Sequence, residues 1–228
     1  MTTYFSDASF KFLRALARHN DKTWFNDHRH QYEAHVRQPF LQLITDLQPD
    51  LAQVSEHYRA DPKTQGGSLF RIYRDARFSN DKSPYKNWQG ARLFHARRRE
   101  LPAPSFYIHL QPGESFVGAG LWHPEPETQR KLRQFIFDNP GSWKAAAHAP
   151  KLTRKFALDD SEKLVRAPRG FPADFEFIDD LKYRNWAYLR PLDDATMTGN
   201  RLRQTIAADL VVLAPFVDYL CAALDLEF

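Results

Sequence analysis

Apolar residues recur every three to four positions through the first 65 residues, then shift to alternate positions across the middle of the chain. The first spacing predicts amphipathic helices and the second half-buried strands, because those are the periods at which side chains return to one face. Ser6 or Asp7 caps a first helix whose stripe is Phe10, Leu13, Leu16 and Ala17. Asn20-Asp21-Lys22 breaks it, and Thr23 is the expected cap of a second helix from Trp24 to about Val36. Its stripe is Trp24, His28, Tyr32 and Val36. Pro39 opens a third helix carrying Phe40, Leu43, Ile44, Leu47 and Leu51, and Gly66-Gly67 closes the helical part.

Four strands are predicted next: Leu69 to Arg74, Trp88 to His95, Ser105 to Gln111 and Ser115 to Trp122. Pro112-Gly113 joins the last two in a hairpin that sets His109 opposite Phe116, Tyr107 opposite Gly118 and Ser105 opposite Gly120. One hairpin face is then Phe106, Ile108, Leu110, Val117, Ala119 and Leu121, which must pack on core. The other exposes Tyr107 and His109 beside two bare glycines, room for a ligand or an overlying helix.

Beyond the hairpin, helices are expected from Glu125 to Phe137, after Gly141 and from Asp174 to Leu181. A short final strand follows from Asn185 to Pro191, then a long apolar helix from Asn200 to Leu224, interrupted near Pro215. The pattern from Lys151 to Arg169 is weak. The fold class is therefore α+β, one domain over 1–228, with an antiparallel sheet packed against helices. Residues 1–65 are helical, 67–122 mainly β, and 124–228 mixed with a long C-terminal helix.

Composition supports a packed core. Of 228 residues 43% are hydrophobic and 14% aromatic, including eighteen Phe and five Trp. No apolar run is expected to span a membrane, and the start lacks the pattern of a secretory signal. Cys221 is the one cysteine, in an apolar stretch, which fits a buried thiol in a reducing, cytoplasmic setting.

Charge changes the picture more. Between Arg71 and Arg99 stand nine Arg or Lys against Asp75 and Asp81, a local excess of +7 in a chain whose total is +4. Charge concentrated in this way attracts anions. The expected ligand-binding set is Arg71, Arg74, Asp75, Arg77, Ser79, Asp81, Lys82, Ser83, Tyr85 and Lys86. In it the two aspartates orient cations, hydroxyls add hydrogen bonds, and arginine grips phosphate or carboxylate two-pronged. Tyr107, His109, Lys182 and Arg184 are a candidate second wall. Arg97 to Arg99 reads as a solvated hairpin tip.

Other chemistry is weaker. Ser79 with Lys82 and Ser83 with Lys86 have serine–lysine acyl-enzyme spacing, but Pro84 disfavours the helical turn which that chemistry needs. His28 and His35 could share a helix face, yet no HExxH, cysteine pair or carboxylate cluster accompanies them, and no metal is expected. No cofactor is indicated. Three functions stand open: a cleft for a small anionic, phosphorylated or nucleotide-like ligand, with catalysis undecided; nucleic-acid binding along Arg71 to Arg99, with Tyr73, Phe78, Tyr85 or Trp88 stacking on bases; and a protein-interaction module.

Four segments together resemble a bacterial and fungal family catalogued as domain of unknown function 2461. They are Asn20 to Phe25 with His28-Arg29 and Tyr32-Glu33, Arg71 to Lys86, Phe106 to Glu125, and Gly170-Phe171-Pro172 through Tyr183. The most specific is Arg74-Asp75-x-Arg77-Phe78-Ser79-x-Asp81-Lys82-Ser83-Pro84-Tyr85-Lys86. His19-Asn20 stands where family members more often carry Asn-Asn. The resemblance implies a single intracellular domain and no particular mechanism.

Overall fold

Six strands pair antiparallel in the order β1-β2-β3-β4-β6-β5 in a computed structural model that describes residues 2–75, 77 and 80–228. They are β1 (Tyr58–Arg59), β2 (Gln89–His95), β3 (Ser105–Leu110), β4 (Phe116–Leu121), β5 (Ala157–Leu158) and β6 (Trp186–Pro191). The β3–β4 register is the expected one, with His109 opposite Phe116, Tyr107 opposite Gly118 and Ser105 opposite Gly120. Its apolar face is buried throughout and continues into Ala91 and Leu93 of β2. With the helices, this sheet makes a single α+β domain.

The helices are α1 (Asp7–Arg18), α2 (Lys22–Asp27), α3 (Arg29–Tyr32), α4 (Gln38–Val54), α5 (Pro126–Asp138), α6 (Pro140–Ala147), α7 (Pro150–Thr153), α8 (Asp194–Thr198) and α9 (Leu202–Ala223). In α1 the predicted stripe is buried at Phe10, Leu13 and Leu16. The single helix expected from Trp24 to Val36 is instead α2, α3 and a π turn, Glu33–Arg37. Its cap is Asp21, whose carboxylate accepts the Trp24 N–H at 2.9 Å, and not Thr23. Pro39 gives a reason for the π turn. It has no N–H for the His35 carbonyl and its ring crowds that group, so Gln38 N–H reaches back five residues to Glu33.

Three further expectations are revised. Leu69 to Arg74 forms no ladder, only isolated bridges of Leu69 to Ala91 and Tyr73 to Tyr85, because the Gln89 side chain takes the Phe70 carbonyl at 2.6 Å. The helix expected from Asp174 is a run of i→i−3 turns ending in a 3-10 turn, Asp180–Lys182. Pro215 does not interrupt α9. It lies on the exposed side, where water can reach the Val211 carbonyl that it leaves without a donor.

By length and composition α9 is also apolar enough to cross a membrane, contrary to the expectation for the chain. Its apolar surface has a use within the fold, since it packs against α4, α5, α6, α7, α8 and β4. One charge goes into the core with it. Asp209 is 0% exposed, and its carboxylate takes Arg190 of β6 through Nη2 and through Nε at 3.1 Å, with Lys155 Nζ at 2.5 Å. A buried carboxylate is tolerated only with such partners.

Two buried histidines are held neutral. His95 Nδ1 accepts the Arg97 N–H at 3.1 Å, so its Nε2–H donates to the Glu227 carbonyl at 2.9 Å. His109 Nδ1 accepts from the Tyr107 hydroxyl at 3.0 Å, and its Nε2–H donates to Gln111 Oε1 at 2.9 Å. Burial is the main cause that pushes both pKa values below that of a free imidazole.

Two outcomes follow from these interior polar groups. Asp209→Ala lowers unfolding free energy by about 3 kcal/mol, read from the urea midpoint at unchanged m-value, since Arg190 and Lys155 keep partial solvent access. Acidification destabilises the fold through the histidines. Both states are neutral above the unfolded value of about 6.5, and below it the unfolded chain binds protons that the folded chain resists. Melting temperature therefore falls from pH 7 toward 5, and His109→Gln makes that slope shallower. An unchanged slope in the variant contradicts this.

Candidate functional site

The loop that carries the basic block is tied to the helical layer at one point. Asn20, between α1 and α2, receives the Tyr85 N–H on Oδ1 at 3.0 Å and donates Nδ2 to the Tyr85 carbonyl at 2.9 Å. Below this clamp the Tyr85 ring stacks on Phe25 of α2, centroids 4.1 Å apart. Tyr85 is buried, so it is an anchor of the loop and not a surface for ligand.

Within the loop the expected cations and aspartates mostly find each other. Asp75 accepts Arg77 Nε at 2.9 Å and Nη2 at 2.7 Å, the two-pronged geometry that the sequence suggested. Asp81 accepts from Arg74 and takes both the Ser83 N–H at 2.9 Å and its hydroxyl at 2.6 Å. The Arg77 side chain brings Asp75 down to about 2, and the Ser83 hydroxyl is the main cause of the same value at Asp81. Lys82 points its amine toward the Arg77 carbonyl at 3.5 Å. Lys86 donates to the Arg71 carbonyl at 2.9 Å and lies 4.9 Å from the Trp88 ring. Burial and Arg71 lower its pKa. No helical turn carries Ser83 and Lys86, which leaves no serine–lysine pair there. Ser79 and Phe78 lie outside the described residues.

The second wall divides: Tyr107 and His109 stand beside the 70–88 segment, their rings 5.7 Å from Phe70 and 4.8 Å from Trp88, whereas Lys182 and Arg184 are not brought to this loop. Tyr107 and His109 belong to the outer sheet face, where His109 stacks on Phe116 with centroids 4.6 Å apart. The glycines beside them open no pocket. A Cβ on Gly120, at φ +138°, would lie 1.9 Å from the Trp186 carbonyl, and one on Gly118 would lie 2.5 Å from Leu189 Cδ2. The neighbouring strand β6 fills both positions. Lys182 donates to Asp179 at 2.5 Å, and Arg133 of α5 holds the flanking carbonyls of Leu181 and Tyr183 at 2.7 and 3.0 Å. These residues and Arg184 lead into β6, whereas the 69–73 segment bridges to β2 on the other flank of the sheet.

What the fold does build beside the loop is a groove of about 260 Å³ between the α2–α3 and π-turn region and residues 63–73. Of the predicted set it takes Arg71. The other cations on its walls are Arg29, Arg37 and Lys63, set against Glu33, with Phe25, Tyr32, Phe70 and Tyr73 as aromatic walls. Glu33 is spent on Arg37, which it accepts at 2.9 Å, and the second Arg37 prong donates to Thr64 at 3.0 Å. Lys63 has Asp61 at 3.6 Å. Among the described residues no carboxylate lies within ion-pair distance of Arg29 or Arg71. Tyr32, which lines the groove, is anchored by its buried hydroxyl, which donates to Gln89 at 2.9 Å.

Charge density along the sequence marks Arg71 at one end of this groove and not the cations at the other. Arg29 and Arg37 sit in helical turns where a lone cation reads as solvated. The available signal was their separation of eight residues on either side of Tyr32 and Glu33. Among the described residues no three His, Cys, Asp or Glu side chains converge as a metal site.

The clamp gives a direct test. Asn20→Ala leaves the Tyr85 N–H and carbonyl without partners, costs about 1 to 3 kcal/mol, and speeds hydrogen exchange at the Tyr85 amide. Full retention of both stability and protection would mean that Asn20 does not hold the loop.

No curated protein matches the chain, and no solved structure does. The family model described as conserved hypothetical protein, DUF2461, matches residues 8–219, from α1 through the groove and the sheet almost to the end of α9. The chain thus belongs to the DUF2461 family.

Proposed function

We propose that this protein binds an anionic ligand, through a phosphate or carboxylate group, in the groove between Arg29, Arg37, Lys63 and Arg71. The observation that carries the reading is the imbalance of charge: four cations line the groove against Glu33, and Arg29 and Arg71 have no carboxylate partner among the described residues. Such a wall lowers the free energy of an anion that enters it, and Arg71 can engage the anion two-pronged. The loop residues Arg74, Asp75, Arg77, Asp81 and Ser83 support the site from behind by fixing the loop. Binding in a cytoplasmic setting fits Cys221, a buried thiol that burial pushes up to about 11 and so keeps unreactive.

Nucleic-acid binding finds less support. Of the aromatic residues expected to stack on bases, Phe78 lies outside the described residues; among the others Tyr85 is buried, Trp88 is half-buried beside His109 and Lys86, and Tyr73 is exposed at 46%. A stacking platform needs open ring faces in series.

A thermal-shift panel tests the reading with phosphate, nucleotides, sugar phosphates, dicarboxylates and oligonucleotides at low and moderate salt. A ligand at one hundred times its Kd stabilises the folded state by about 2.7 kcal/mol. Arg71→Ala or Arg29→Ala weakens that ligand by about tenfold or more, while Arg97→Ala, outside the groove, leaves it unchanged. Stabilisation by oligonucleotides alone, erased by salt, transfers the function to nucleic acid. No shift with any compound overturns the anion reading.

A further inference from the structure

Five consecutive residues, 69–73, line the groove. Neighbouring side chains in an extended segment point to opposite faces, so a groove that touches all five runs along the edge of the segment, where its backbone is open. The hydrogen bonds agree. Phe70 N–H donates to the Gly90 carbonyl at 2.9 Å, Arg92 N–H to the Ser68 carbonyl at 2.9 Å, Lys86 N–H to the Ile72 carbonyl at 2.8 Å, and Arg74 N–H to the Pro84 carbonyl at 2.9 Å. Even-numbered residues therefore turn their main-chain groups toward these partners, and the odd-numbered Leu69, Arg71 and Tyr73 turn theirs away from them. Among the described residues, the N–H and C=O of Leu69 and Tyr73 and the N–H of Arg71 have no hydrogen-bond partner; the Arg71 carbonyl alone is occupied, by Lys86.

We infer that this edge receives an extended peptide segment bearing acidic side chains, which pairs as an added strand. The inference rests on the anion reading above and names the partner. A carboxylate or a fully ionised phosphate ester only accepts hydrogen bonds, so it can serve the outward N–H groups but not the outward carbonyls of Leu69 and Tyr73. A peptide backbone does both, donating and accepting at alternate positions along an edge. Charge fixes the kind of peptide. Acidic side chains at every second position fall on one face about 7 Å apart, toward Arg29, Arg37 and Arg71. A shift of one residue would turn them away, so charge also sets the register. The exposed Tyr73 ring flanks the same edge.

The test uses the full chain and a capped hexapeptide alternating Glu with Val, measured by calorimetry and amide hydrogen exchange. Two analogues carry N-methyl groups, one at the Glu positions and one at the Val positions. A paired strand offers a single edge, so one analogue loses about tenfold or more in affinity and the other binds as the parent does. The parent peptide slows exchange at the amides of Leu69, Arg71 and Tyr73, and a Lys–Val hexapeptide does not bind. If both analogues bind like the parent, or glutarate alone binds as tightly, strand pairing is wrong and the anion groove stands. Binding of oligothymidylate in place of the peptide, lost in salt, overturns the inference in favour of nucleic acid. Failure of peptide, glutarate and phosphate together overturns the groove as well.

Discussion

Burial of α9 is the constraint on which the other layers depend. The helix is apolar on most of its circumference, so the sheet must cover one side while α4, α5 and α6 cover others. That demand explains the uniform apolar face of the β3–β4 hairpin, since β4 lies against α9. It also explains why β6, though distant in sequence, pairs with β4: this strand delivers Arg190 to the one carboxylate that α9 carries inward. The short Ala157–Leu158 strand follows closely on Lys155 and holds the second cation near Asp209. Covalent order and charge neutralisation thus converge on the same sheet edge.

The groove is a by-product of how the remaining edge is finished. On the β2 side the sheet ends in a segment that bridges to β2 at Leu69 and leans on the buried Tyr85 at Tyr73. Asn20 and Phe25 hold Tyr85 against the helical layer. A strand edge and a helical wall are thereby held beside each other by Asn20, Phe25 and Tyr85, of which Phe25 also lines the groove. Rigid support of this kind lets a few surface cations act together and not as independent solvated charges.

The parts of the fold written in periodicity were readable directly. The stripe Phe40, Leu43, Ile44, Leu47 and Leu51 and the hairpin register follow from side-chain spacing alone. Expectations failed where a side chain replaced a backbone partner. Gln89 takes the Phe70 carbonyl and dissolves a predicted strand, and Asp180 accepts from Trp143 and His148 at 2.7 and 2.6 Å in a segment that forms no α-helix. The site was half legible for the same reason. Density of charge marked the loop, but local Asp–Arg pairing consumed much of that charge. The groove cations without a carboxylate partner among the described residues, Arg29 and Arg71, come from segments that meet only through the fold.

The π turn at Glu33–Arg37 sets the angle of that meeting. A π turn is, in effect, one residue added to an α-helix, and each residue advances an α-helix by about 100°. Compared with an α-helix running unbroken from α3 into α4, the extra residue turns Arg29 and Tyr32 by about 100° relative to the face of α4. The core stripe of α4 is indifferent to that turn, but the cationic wall faces the strand edge because of it. One surplus peptide unit, in a turn that itself carries Glu33 and Arg37, therefore determines which way the N-terminal helices present their charge.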